Sequence, residues 1–68
     1  MLVMAKRRIK IPTPDELRAI RARLELTQAQ AANRVAVTRE TWSYWETGSR
    51  IPSRSLALLI WQLSKENI

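Results

Sequence analysis

The sequence predicts an all-α fold, a compact bundle of four to five short helices preceded by a basic N-terminal arm. Three observations carry this. Thr13, Thr27 and Thr38 each stand where a helix N-cap is wanted, and Glu16 and Gln30 follow the first two as capping-box partners. Beyond each cap, apolar residues recur at the three- and four-residue spacing of a half-buried helix. Between these segments lie only short connections, marked by Gly48 and by Pro52-Ser53.

A chain of 68 residues makes one small domain. Its folded form hides only about 60% of the surface that the unfolded chain exposes, so its core is thin. It contains neither cysteine nor histidine. Disulfides, thiolate or imidazole metal sites and a histidine base are therefore unavailable, and no metal or cofactor is expected. The acids Asp15, Glu16, Glu25, Glu40, Glu46 and Glu66 are scattered rather than paired. Enzyme activity is not expected.

Twelve Lys and Arg against six acids give a net charge of +6, with a pI near 11.2. A basic surface attracts phosphates and releases their counterions, so the composition favours a polyanionic partner, above all a nucleic acid. The apolar run at residues 1–5 is too short for a signal segment or a membrane span. A cytoplasmic protein with no membrane partner is the expectation.

Residues 1–12 form the arm, with Lys6, Arg7, Arg8 and Lys10 interleaved with Ile9 and Ile11 before Pro12. The segment reads as a flexible basic arm, as a short strand that pairs with another chain, or as a solvated tail. Residues 13–68 form the domain. Its first helix opens with Thr13 as cap and Pro14 at the first turn, and Asp15 and Glu16 suit the positive end of the helix dipole. Leu17, Ile20 and Leu24 continue an apolar stripe to about Leu26.

The second helix follows Thr27 and ends near Arg34 or Val35. Its Ala29, Ala31 and Ala32 favour helix and let a neighbour approach closely. After the short turn of Val35, Ala36 and Val37, Thr38 caps a third helix that Gly48 closes in the left-handed position. Helical phase divides this helix. Trp42 and Trp45, three residues apart, share the inner side, while Tyr44 lies about 200° round from Trp42 and joins Arg39, Glu40 and Ser43 outside. A fourth helix starts at Ser53 or Ser55 and runs to about Ser64, with Leu56, Leu59, Ile60 and Leu63 as its core stripe. Leu58 and Trp61 lie on another side. They either face a partner surface or fold back over the small core.

A helix, a tight turn and a helix with a polar outer face make the helix-turn-helix pattern of DNA-binding proteins. The stretch LTQAQAANRVAVTRETWSYWETGSRIPS resembles the Cro/C1-type (Xre) family, the phage-repressor and antitoxin DNA-binding domain of the lambda-repressor-like fold. The resemblance covers residues 17 to about 63. It rests on Leu26-Thr27-Gln28 opening the second helix, Ala32 within it and Val37-Thr38-Arg39 opening the third. Tyr44-Trp45-Glu46-Thr47-Gly48 closing the third helix and Pro52-Ser53 before the fourth complete it.

The resemblance implies a role for each matching position. Arg39, Glu40, Ser43 and Tyr44 would face base edges. Arg39 has the chemistry to pair bidentately with guanine, and Glu40 to accept from cytosine. Gln28, Thr38, Ser49 and Arg50 would contact the phosphate backbone, and so would Arg54. Lys6, Arg7, Arg8 and Lys10 would reach an adjacent groove as basic arms do. Arg21 and Glu46 match a pair that forms a structural salt bridge in relatives.

The sequence departs from the family at named places. Ala36 stands where relatives place glycine, Ala31 where they have a larger aliphatic residue, and Trp42 where they have a β-branched one. The last two are expected to compensate, the indole filling the space that Ala31 leaves. A fifth helix, which many relatives use to dimerise, is not expected here.

Two functions follow from these readings. One is a sequence-specific transcriptional regulator, a repressor that binds an inverted repeat in double-stranded DNA as a homodimer, encoded by a bacterium or a phage. Its dimer would use Leu58, Trp61 and Ile68, or strand exchange by residues 2–11. The other is an antitoxin-like module whose main partner is a protein such as a toxin. A membrane-active peptide is excluded, because the basic residues do not collect on one side of an amphipathic helix.

Overall fold

The structure, a computed structural model, describes residues 9–66, and all regular structure among them is α-helical. Four helices follow in order: α1 (Pro14–Arg23), α2 (Gln28–Arg34), α3 (Arg39–Thr47) and α4 (Arg54–Ser64). Lys6, Arg7, Arg8 and Ile68 lie outside the described residues, as does most of the segment expected to exchange strands. Residues 9–13 are neither helix nor strand.

Each helix begins on the cap that the sequence offers. Thr13 and Thr27 accept from the backbone N–H groups of Glu16 and Gln30, and the side chains of Glu16 and Gln30 accept from the caps in return. Thr38 and Ser53 accept from the N–H groups of Thr41 and Leu56. Each such cap contributes about 1 kcal/mol to a helix of two or three turns that would be marginal alone.

The ends are less regular. The apolar stripe of α1 continues to Leu24, but the helix stops at Arg23 rather than near Leu26. Glu25 then takes a left-handed conformation, with φ at 58°. The Arg21 guanidinium donates to the Leu26 carbonyl across this turn, at 3.3 Å. Gly48 closes α3 with φ at 84°, where a β-carbon would be strained.

Ala36, in the turn between α2 and α3, has φ at 61°. The left-handed geometry is thus kept without glycine, at a strain of roughly 1–2 kcal/mol. Ala36→Gly relieves that strain but loosens the unfolded chain. The expected net gain is about 0.5–1 kcal/mol, or roughly 4–7 °C in Tm, read by thermal denaturation.

One core cluster joins the helices. Leu17, Ile20 and Leu24 come from α1 and its cap, Ala31, Ala32 and Val35 from α2 and its cap, Trp42 and Trp45 from α3, and Ile60 and Leu63 from α4. Trp42 and Ala31 are both fully buried, and the two indoles of α3 tilt together with centroids 5.7 Å apart. The side of α4 facing the core differs from the expected stripe. Ala57 is buried, whereas Leu59 is 42% exposed. A helix reading Leu-Ala-Leu-Leu-Ile-Trp is apolar nearly all round, so periodicity alone does not set its rotation. Its neighbours do.

Candidate nucleic-acid interface

The third helix has two chemically distinct sides. Trp42, Trp45 and Glu46 are buried, while Arg39, Glu40 and Tyr44 are exposed and Ser43 is half-buried. All four outward positions expected from the sequence therefore stand together on one side, held there by the indoles beneath.

Glu46 fixes this orientation. Its carboxylate is buried and accepts four hydrogen bonds. Arg21 of α1 donates through Nε at 2.6 Å and Nη2 at 3.0 Å, Gln28 of α2 through Nε2 at 3.1 Å, and Trp42 through Nε1. Burial pushes the Glu46 carboxyl up, but the bonds from Arg21, Trp42 and Gln28 and the charge of Arg21 outweigh it. The group lies below its ordinary value and is ionised at neutral pH. The same bond raises the Arg21 guanidinium. Arg18 adds a further tie, donating to the Glu46 carbonyl at 2.6 Å and so placing a cation at the negative end of α3. Among the described residues, no buried side-chain polar atom lacks a partner.

The Arg21–Glu46 pair was legible through the family resemblance. The shares of Trp42 and Gln28 were not. An indole N–H four residues before a glutamate on one helix could have signalled the first, since positions four apart lie on one face.

Gln28 sits at the start of α2, half-buried rather than displayed. Its amide donates to Glu46, and its carbonyl oxygen accepts from Arg39 at 3.4 Å. Thr38 is exposed, with its hydroxyl engaged by the Thr41 backbone and side chain. Ser49 and Arg50 are exposed beyond α3. The Ser49 hydroxyl meets that of Thr47 at 3.0 Å. The guanidinium of Arg50 lies over the Tyr44 ring, 4.9 Å from its centroid.

Asp15, Glu16, Glu46 and Glu66 pair with Arg18, Lys10, Arg21 and Arg34. Among the described residues, no ion pair engages Arg39, Arg50 or Arg54. Uncompensated positive charge thus remains on the loop after α3 and at the start of α4, whereas on α3 Arg39 stands next to Glu40, which also makes no ion pair among the described residues.

Lys10, one of the expected arm contacts, bonds Glu16 at 2.6 Å. That bond, followed by the Thr13 backbone, holds the Glu16 carboxyl below its usual range. Trp61 folds back: its indole N–H donates to the Lys10 carbonyl at 2.7 Å, and the residue is half-buried. Of the three expected dimer residues, Leu58 alone is an exposed one among those described, 47% exposed beside Leu59. No helix among the described residues is long and apolar enough to cross a membrane.

Comparison with known proteins gives two positive findings. Over 35 residues the chain is 46% identical to the Type II methyltransferase M.MspI of Moraxella sp. That match covers 52% of this chain and 8% of the methyltransferase, so the chain spans a small fraction of this curated relative's length. No solved structure matches at a significant level. The sequence profile described as "Helix-turn-helix domain" matches residues 15–63, from the first turn of α1 to the end of α4. These helices, with α2 and α3 joined by the left-handed turn at Ala36, place the chain in the helix-turn-helix domain family.

Proposed function

We propose that this chain is a sequence-specific DNA-binding transcriptional regulator of the Cro/C1 type, acting as a repressor. The observation that carries the reading is the division of α3, with Trp42, Trp45 and Glu46 fixed inward and Arg39, Glu40, Ser43 and Tyr44 turned outward together. A helix about 10–12 Å across with such a side fits the major groove. Arg50 and Arg54 supply charge for the backbone phosphates beside it. Its role is binding rather than catalysis, and its place is the cytoplasm, where the DNA is.

As a homodimer on an inverted repeat, it would set two copies of α3 about 34 Å apart, one helical turn of DNA. The exposed Leu58 and Leu59 of α4 support an apolar contact between copies. The same pair supports a second reading, an antitoxin-like module that covers this surface with a partner protein. Sedimentation of the isolated protein separates them: a soluble homodimer favours the regulator, and an insoluble or unfolded monomer the module. The likeness to a segment of a type II methyltransferase is compatible with such a domain serving inside a larger protein as well as alone.

Selection of bound sites from a randomised duplex library tests the reading. Arg39→Ala or Glu40→Ala is expected to relax preference at one position of the selected site, by about 5- to 150-fold for a bidentate pair. Arg50→Ala should weaken selected and scrambled duplexes alike, with a shallower dependence on salt. Equal affinity of the parent protein for selected and scrambled duplexes would overturn the specific-regulator reading.

A further inference from the structure

The pairing of Tyr44 with Arg50 assigns the tyrosine a role different from that of its neighbours on α3. Gly48, in its left-handed conformation, turns the chain back at the end of the helix. The backbone N–H of Arg50 then donates to the Tyr44 carbonyl at 3.3 Å. The Thr47 hydroxyl donates to the same carbonyl at 3.1 Å and also meets the Ser49 hydroxyl, which fixes the turn. Backbone geometry therefore delivers the Arg50 side chain to the exposed face of the Tyr44 ring, its guanidinium carbon 4.9 Å from the centroid.

We propose that Tyr44 serves DNA binding as a positioning residue, its ring acting as a platform that holds Arg50 toward a backbone phosphate. The inference rests on the reading of α3 as a recognition helix. A ring face covered by a guanidinium is not open to a thymine methyl group. The arginine loses nothing by the arrangement, because its N–H donors lie in the plane of the guanidinium and stay available to two phosphate oxygens. Arginine is otherwise a side chain of many rotamers, and ordering it before DNA arrives removes part of the entropy lost on binding. Tyr44 and Arg50 thus act as one unit where the recognition helix leaves the groove, and Arg39, Glu40 and Ser43 read the bases.

Two measurements test this. In the free protein, NMR should show the Arg50 side-chain protons shifted upfield by the ring current, and Tyr44→Leu should abolish the shift. Absence of that shift in the parent overturns the platform whether or not the protein binds DNA. Binding is then measured on the duplex selected from the randomised library and on a scrambled duplex.

Tyr44→Leu should weaken both by the same factor, about 2- to 5-fold, the range of an exposed cation–π contact. Tyr44→Phe keeps the ring and should restore parental affinity. Tyr44→Leu added to Arg50→Ala should cause no further loss. A change of base preference at a single position, independent multiplication of the two losses, or a loss in Tyr44→Phe as large as in Tyr44→Leu would each overturn the inference. If the parent binds neither duplex, the regulator reading itself falls, and this inference falls with it.

Discussion

Replacing Glu46 with alanine is expected to destabilise the domain by about 3 kcal/mol, because it strips four hydrogen bonds from the centre of the fold and leaves Arg21 without its counter-ion. Breaking a fully buried pair costs about 3–5 kcal/mol; the lower end applies because the Arg21 side chain keeps 26% of its exposure and can recruit water. A domain of this size has a total stability of roughly 3–10 kcal/mol, so the loss removes a third of it or nearly all. Urea denaturation followed by circular dichroism measures it, and a loss under 1 kcal/mol would show that the carboxylate does not hold the helices together.

The same group makes stability depend on pH. Its folded pKa lies below the ordinary value of 4.5, so its contribution is fully present above that value and is lost as pH falls through the folded pKa. Tm should therefore drop steeply as the solution is acidified below about pH 4.5. Glu46→Gln should be less stable at neutral pH and should show a shallower drop. The residual slope belongs to groups such as Glu16, whose carboxyl is also lowered.

Trp42→Val is the second large effect. The indole is fully buried, and its N–H satisfies Glu46, so the substitution opens a cavity and removes a bond from the same carboxylate. The expected loss is about 3 kcal/mol. Ala31 is equally buried in the same cluster, on α2, which packs against α3. Ala31→Ile alone should overpack that cluster and cost about 1–3 kcal/mol. In the Trp42→Val background it should instead recover part of the lost stability, a coupling of opposite sign that a double-mutant cycle reads directly. Trp42→Val as stable as the parent would mean that the tryptophan does not compensate for the alanine.

Helix starts were legible residue by residue. Thr13, Thr27 and Thr38 cap where the sequence places them, because an N-cap is a local bond that needs nothing beyond three residues of chain. Gly48 and the two sides of α3 were legible for a related reason, since a helix of mixed polarity has only one rotation that buries its indoles. The unread features depend on distant partners. The early end of α1 involves Arg21 reaching across to Leu26. The exposure of Leu59 and the burial of Ala57 follow from how α4 meets its neighbours, as where its Trp61 bonds to Lys10, 51 residues away in sequence. At the candidate interface, residue identities and their outward side were legible, but the inward turn of Gln28 and the pairing of Arg50 with Tyr44 were not. Both come from contacts between segments that a linear pattern does not contain.

The two-sided construction of α3 also has a consequence for descent. The bonds and packing that hold the helix come from Trp42, Trp45 and Glu46, so Glu40 and Ser43 can change with little penalty to folding. A lineage could drift to new target sites by substituting outward residues one at a time while every intermediate still folds. Arg39 is less free, tied as it is to Gln28. Changes there should travel as correlated pairs, and descendants with a different residue at position 39 should also differ at position 28.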